Sequence, residues 1–167
     1  NINRKELDAI AVSKGPGSYT GLRIGVSAAK GLCFALDVPL ISIPTLDVLV
    51  QQVEQTGGYI IPLLDARRME VYAAVYNAAK KQIRETKAEI LDENSFSNYL
   101  KEGKTTFIGD GANKFKQLCS NGNAVFLDHK FPSSAAMATL AEAKYKISDT
   151  EDVAYFEPFY LKEFMLG

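Results

Sequence analysis

The segment GPGSYTGLRIG, residues 15–25, lies between an apolar run and an amphipathic run. The preceding residues AIAVS predict a short buried strand, and the following residues predict a helix from about Gly21 to Leu36 with Thr20 as its N-cap. Glycine-bearing connections from a strand to a helix bind phosphate groups in many α/β proteins. The segment therefore constrains the chain to a strand–turn–helix unit, and it raises the question of what its glycines are for.

The glycine spacing departs from both common phosphate-binding fingerprints. A Walker A loop needs a second glycine followed by lysine, but the glycine position is Thr20 when counted from Gly15 and Leu22 when counted from Gly17. The dinucleotide fingerprint fails at the same Thr20. Pro16 also removes one backbone N–H from the loop. These departures disfavour a phosphate site and leave Gly15 and Gly17 as structural residues, so no cofactor is expected.

The predicted helix offers a second explanation, because it carries small residues at regular spacing. A glycine inside a helix costs roughly 1 kcal/mol relative to alanine, so two in the first turns need a reason. Either the helix packs in its own core, or another helix approaches it closely. The second interpretation predicts a partner interface made of Gly21, Leu22, Gly25, Val26, Ala28, Ala29, Leu32 and Cys33.

The rest of the chain alternates strand and helix signals. A strand at residues 38–43 and a helix from Pro44 to about Gln55 are followed by three strand-like runs, with turns at Arg67–Arg68 and at residues 79–81. Further strands and helices lead to a helix from Ser133 to about Ile147 and an aromatic tail, expected as an edge strand or an extended segment. This order predicts an α/β protein with residues 1–56 in one lobe and 57–167 in a second lobe, the tail packing back.

Few other residues suggest a catalytic or metal-binding role. Asp65, Arg67 and Glu70 lie around a predicted turn, where they form either an acid–base pair with an anion clamp or, as we favour, a structural motif. The chain has a single histidine, His129, so no two-histidine metal site exists within it. The two cysteines lie far apart in the sequence, which is typical of a reducing compartment. We therefore expect no catalytic residue and no metal ligand.

The overall charge and hydropathy argue against two further classes of protein, those that bind nucleic acid on their own and those that span a membrane. The formal net charge is −1 and the sequence pI is about 5.9, without the basic excess of a protein that grips nucleic acid unaided. The densest basic stretch, Lys80 to Lys87, is interrupted by Glu85 and is typical of an exposed strand. No apolar run approaches the roughly 18 residues of a membrane span.

Three stretches together resemble one family. AIAVSKGPGSYTGLRIGVSAAKGL, LDARRMEVYAAVY and EPFYLKEF are similar, in this order, to motifs of the TsaB (YeaZ) family of bacterial tRNA threonylcarbamoyladenosine biosynthesis proteins. The resemblance implies the actin-like ATPase (ribonuclease H-like) superfamily fold, with two related lobes. Family members begin with a β-hairpin and a helix upstream of the position of Asn1. The resemblance therefore implies a first lobe that is incomplete at the N-terminus and lacks the superfamily's first phosphate-binding element.

The resemblance also implies a function. TsaB pairs through helices with its paralogue TsaD, which transfers a threonylcarbamoyl group to adenosine 37 of tRNAs that read ANN codons. TsaD carries metal-binding histidines, and this chain has only His129. We therefore expect a non-catalytic scaffold subunit that binds a TsaD-type paralogue, meets a TsaE-type ATPase and tRNA only through the complex, and resides in the cytoplasm. A homodimer is an alternative pairing, and a glycoprotease-like hydrolase or a stand-alone ATPase is the alternative function.

Overall fold

A computed structural model describes residues 3–54 and 57–162. The described elements, after a short 3-10 turn, follow the predicted alternation of strands and helices, and the α/β class is confirmed. In chain order they are β1 (Ile10–Gly15), α1 (Tyr19–Leu36), β2 (Leu40–Pro44), α2 (Thr45–Gln51), β3 (Tyr59–Asp65), β4 (Glu70–Asn77), β5 (Gln82–Ile90), α3 (Ser97–Glu102), β6 (Thr105–Ile108), α4 (Ala112–Lys116), β7 (Ala124–Leu127) and α5 (Ser134–Lys146).

The chain divides into two compact units, one of residues 1–45 with 134–167 and one of residues 46–133. We call them unit 1 and unit 2. Their boundaries do not coincide with the predicted lobes, 1–56 and 57–167, and the division into lobes stays a prediction.

Unit 1 is built on a β–α–β arrangement. Strands β1 and β2 pair in parallel, with Ile10 opposite Leu40, and α1 connects them. After α5 the chain runs back along the unit: Glu151 forms an isolated antiparallel bridge with Leu40, and the N–H of Phe159 donates to the carbonyl of Lys14 at 2.7 Å. Over its described part the predicted tail begins in a turn at residues 153–155 and then belongs to no helix or strand, while residues 163–164 of that tail lie outside the described residues.

Polar groups fix this returning segment to unit 1. The buried Ser42 hydroxyl of β2 donates to the Glu151 carboxylate, and the Lys144 ammonium of α5 donates to the carbonyl of Ser42 at 3.1 Å. The Lys30 ammonium of α1 donates to the carbonyls of Ala154 and Phe156 at 3.1 and 3.0 Å. Unit 1 therefore holds α1 against both its sheet and its last segment.

Unit 2 is a three-layer sandwich around a five-stranded sheet of order β5-β4-β3-β6-β7. Strands β3, β4 and β5 form the predicted antiparallel meander, and β3, β6 and β7 run parallel. Alternation along β3 sends Ile61 and Leu63 toward α3 and α4, and Ile60 and Leu64 toward α2, because successive side chains of a strand point to opposite faces. Helix α2 ends at Gln51, earlier than predicted, and the predicted end at Gln55 lies outside the described residues.

Candidate functional site

Helix α1 is the longest described helix, and its ends are well capped. The Ser18 hydroxyl accepts a hydrogen bond from the N–H of Gly21 at 3.3 Å, which satisfies one of the free donors of the first turn. This finding corrects the predicted cap: Thr20 already lies inside the helix, one residue after its start at Tyr19. At the other end Asp37 takes a left-handed conformation, φ 54°, and its N–H donates to the carbonyl of Cys33.

One face of α1 packs inside unit 1. Its buried residues are Leu22, Val26, Ala29 and Cys33, which recur at intervals of three and four. Ala29 and Cys33 share a core cluster with Leu40 of β2, and burial raises the pKa of the Cys33 thiol. These four side chains lie in the core of unit 1 and offer little surface to a partner, and their assignment to an interface stays a prediction.

The opposite side of α1 is exposed and mostly small or apolar. We call it the outward face: Ile24, Ala28, Gly31 and Ala35 along its centre, with Leu32 and Phe34 on its flanks. The exposed fraction is 66% for Ile24, 45% for Leu32 and 88% for Phe34. Of the predicted interface residues, Ala28 and Leu32 lie on this face, Gly21 is exposed one turn before it, and Gly25 is half-buried. For these four residues the interface stays a prediction.

The glycines of this region have different environments. A Cβ on Gly15 would lie 2.5 Å from the carbonyl oxygen of Phe159, and Gly15 has φ +113°, so both its conformation and the close passage of the last segment require glycine. A Cβ on Gly25 would meet Val12 of β1 at 3.9 Å, an ordinary contact, and one on Gly31 would meet nothing within 4 Å. Of the glycines at residues 15–25, only Gly15 is required by its surroundings, because the backbone of the last segment passes close to it.

The turn between β3 and β4 brings together the predicted motif. The Asp65 carboxylate accepts from the N–H of Arg67 at 2.6 Å and from the Lys114 ammonium at 2.8 Å, and Lys114 also donates to the carbonyl of Glu70 at 3.1 Å. Burial opposes ionisation of Asp65, but these hydrogen bonds and the charge of Lys114 outweigh it and lower the pKa of the carboxyl. Lys114, which sequence reasoning missed, lies 49 residues away along the chain.

Residues 3–54 and 57–162 contain neither a cluster of metal ligands nor a helix suited to span a membrane. No three His, Cys, Asp or Glu side chains are grouped there so that they could hold a metal ion. His129 lies in the loop after β7 with φ 57°, beside Asp128, whose carboxylate pairs with Lys116 at 2.8 Å. None of the helices in these ranges is long and apolar enough to cross a membrane.

Comparison with known proteins identifies the family. A family model described as "TsaD: tRNA N6-adenosine threonylcarbamoyltransferase" matches residues 1–163. The tRNA threonylcarbamoyladenosine biosynthesis protein TsaB of Bacillus subtilis is 32% identical over an alignment of 170 residues, gaps included, that covers 95% of this chain and 71% of that protein. TsaB of Escherichia coli is 29% identical over an alignment of 165 residues, gaps included, that covers 94% of this chain and 71% of that protein.

Solved structures show the same fold. YeaZ from Pseudomonas aeruginosa superposes with a TM-score of 0.78 at 24% identity, covering 96% of this chain and 76% of that one. A second structure from the same organism, described as an uncharacterized protein with similarity to peptidase YEAZ, gives 0.78 at 22% identity. The expected actin-like ATPase (ribonuclease H-like) fold is thereby confirmed. The chain belongs to the family that the TsaD model describes and, within it, to the TsaB (YeaZ) proteins.

Proposed function

We propose that the chain is a non-catalytic subunit that pairs through the outward face of α1 with a TsaD-type threonylcarbamoyltransferase. Membership of the TsaB family gives it a role in the biosynthesis of threonylcarbamoyladenosine in tRNA. In the proposed assembly the TsaD-type partner transfers the threonylcarbamoyl group to adenosine 37 of tRNAs that read ANN codons. A TsaE-type ATPase joins through the complex, which acts in the cytoplasm.

The outward face of α1 is the observation that carries this proposal. Ala28, Gly31 and Ala35 place little side-chain volume along its centre, which allows a second helix to approach closely. Leu32 and Phe34 flank that line and supply apolar area for a partner to cover. Fully burying a side chain of this size contributes roughly 1.5–3 kcal/mol. A second copy of the chain could use the same face, so a homodimer would compete with the proposed pairing.

The polar residues of the chain support a subunit without chemistry of its own. The Asp65 carboxylate is engaged by Lys114 and by the N–H of Arg67, an arrangement that holds a turn in place. Gly15 is approached by a backbone carbonyl rather than left open for a phosphate group. His129 is the single histidine, and its loop neighbour Asp128 is paired with Lys116.

The experiment that tests the proposal mixes the chain with the TsaD-type protein of its own organism. We expect a one-to-one complex in sedimentation velocity and faster threonylcarbamoyl transfer to tRNA when the chain is added. A chain that neither binds the TsaD-type protein nor stimulates transfer contradicts the proposal. Cleavage of a glycoprotein by the purified chain would favour the hydrolase, and ATP hydrolysis by the chain alone would favour the ATPase.

A further inference from the structure

The turn between β3 and β4 contains two consecutive arginines in an unfavourable backbone conformation. Arg67 has φ 69° and Arg68 has φ 47°, the left-handed region that favours glycine and asparagine. Over residues 3–54 and 57–162, no other two adjacent non-glycine residues both have positive φ. Neither arginine is buried, so packing gives no reason for a side chain with a Cβ at these positions. Because no packing contact offsets the unfavourable conformation of these two arginines, we infer that their side chains have a function.

The base of this turn is held firmly. The Asp65 carboxylate accepts from the N–H of Arg67 and from Lys114, and the Asp110 carboxylate accepts from the N–H of Asp65 at 2.9 Å. Both carboxylates therefore bond to groups at the base of the turn. A turn fixed in this way presents its tip with little loss of conformational freedom on binding.

The tip of the turn offers free donors. Two of its carbonyls are occupied, because that of Arg67 accepts from the N–H of Glu70 at 3.0 Å and that of Met69 accepts from the N–H of Leu91 at 2.8 Å. Across the described part of the chain, the N–H groups of Arg68 and Met69 and both guanidinium groups have no hydrogen-bond or ion-pair partner. Backbone N–H groups of such turns and guanidinium forks both bind phosphate oxygens.

We propose that the Arg67–Arg68 turn contacts RNA phosphodiester groups directly. The identity of the RNA as tRNA rests on the proposed function, whereas the donors of the tip are independent of it. Two long guanidinium side chains can reach successive phosphates of one strand, and such contacts position an RNA without reading its sequence. This chain then holds the tRNA itself, in addition to any contact that its partner makes.

The test replaces both arginines with residues that suit positive φ. The variant Arg67→Asn with Arg68→Gly removes two charges and relieves the backbone, so we expect an unfolding temperature at or above that of the parent. Fluorescence anisotropy with labelled unmodified tRNA should show weaker binding. The logarithm of the association constant should also decrease less steeply with the logarithm of the salt concentration, the magnitude of the slope being smaller by about 2. A purely structural role predicts the reverse, a lower unfolding temperature with unchanged RNA binding.

A matched control removes the same charge from the neighbouring hairpin. The variant Lys81→Gln with Lys87→Gln changes two exposed lysines at and after the turn between β4 and β5, and it should bind tRNA as the parent does. Equal losses in the two double variants would indicate a general effect of charge and would overturn the proposal. So would a parent chain that shows no salt-dependent tRNA binding.

Competition with unlabelled ligands distinguishes an RNA phosphodiester from a small phosphate-bearing anion. Unlabelled tRNA should displace the probe at its own dissociation constant, while ATP or inorganic phosphate at the same phosphate concentration should displace far less. Displacement by ATP or phosphate as effective as that by tRNA would overturn an RNA site in favour of a small-anion site. A chain that still pairs with the TsaD-type protein but binds tRNA equally well in parent and arginine variant contradicts this inference alone.

Discussion

The glycine-bearing segment at residues 15–25 and the arginine turn at residues 65–70 differ in how the chain uses them. In the first, Gly15 admits the carbonyl of Phe159, and the helix that follows packs into unit 1. In the second, Arg67 and Arg68 occupy backbone conformations suited to glycine, and their guanidinium groups have no partner among the described residues. Gly15 thus marks a close backbone approach, whereas the two arginines at positive φ mark the surface that we propose binds RNA.

The largest expected effect on stability is the difference between substitutions on the two faces of α1. Val26 is 3% exposed and Ile24 is 66% exposed, two positions apart. Val26→Asp buries an unpaired charge and should lower the free energy of unfolding by at least about 3 kcal/mol. Ile24→Asp should change it by no more than about 0.5 kcal/mol. Urea unfolding measures both, and a large loss for Ile24→Asp would show that the outward face is a core surface.

Gly15→Ala should have the next largest effect. The added Cβ would meet the carbonyl of Phe159, and φ +113° is strained for alanine, so we expect a loss of about 1–3 kcal/mol. Gly17→Ala is the control, because its Cβ would lie 3.9 Å from the Leu22 side chain, and it should change stability by less than about 0.5 kcal/mol. Equal stability of the two variants in thermal unfolding would refute the close packing of Gly15.

The arginine turn should respond with the opposite sign. Arg67→Asn with Arg68→Gly relieves two strained residues and should raise the free energy of unfolding by roughly 1 kcal/mol. The control variant Lys81→Gln with Lys87→Gln changes positions whose φ values are not positive, so it relieves no strain and should not stabilise the chain. Destabilisation by the arginine variant would mean that the side chains hold the turn together.

The smallest effect concerns pH. The pKa of Asp65 is lowered in the folded chain, so its contribution to stability is complete above the ordinary aspartate pKa of about 4 and is lost as the pH falls through the lower folded value. Asp65→Asn should therefore cost less than about 1 kcal/mol at pH 7, since Asp65 is partly exposed, and the charge part of that cost should vanish once the pH lies below the lowered pKa. A difference from the parent that stays constant from pH 7 to pH 2 in urea titrations would rule out this ion pair.

Local patterns predicted the elements well, because each depends on near neighbours. The run of β-branched and apolar residues in β3 and β4, with a polar turn between them, predicted the hairpin. The cap of α1 was displaced by two residues because Ser18 and Thr20 are both good N-caps and sequence alone does not rank them. Boundaries of this kind depend on which hydroxyl reaches a free N–H.

The candidate sites were harder to predict, since they depend on distant parts of the chain. Both faces of α1 carry small and apolar residues, so the periodicity could not show that Val26 and Cys33 pack inward while Ile24 points outward. The role of Gly15 depends on Phe159, and that of Asp65 depends on Lys114. The sequence does not predict the positive φ of Arg67 and Arg68, because glycine and asparagine, which are typical of that conformation, are absent from these two positions.

Sedimentation velocity with paired glycine variants tests the role of the outward face most directly. A Cβ on Gly31 in α1 or on Gly122 in the loop before β7 would meet nothing within 4 Å, and both residues are exposed, so each position has room for a side chain. Mixed with the TsaD-type protein, Gly122→Leu should form the one-to-one complex as the parent does. Gly31→Leu should leave the two proteins sedimenting separately, because the side chain holds the helices apart. If Gly31→Leu pairs as tightly as Gly122→Leu, the outward face of α1 is not the interface.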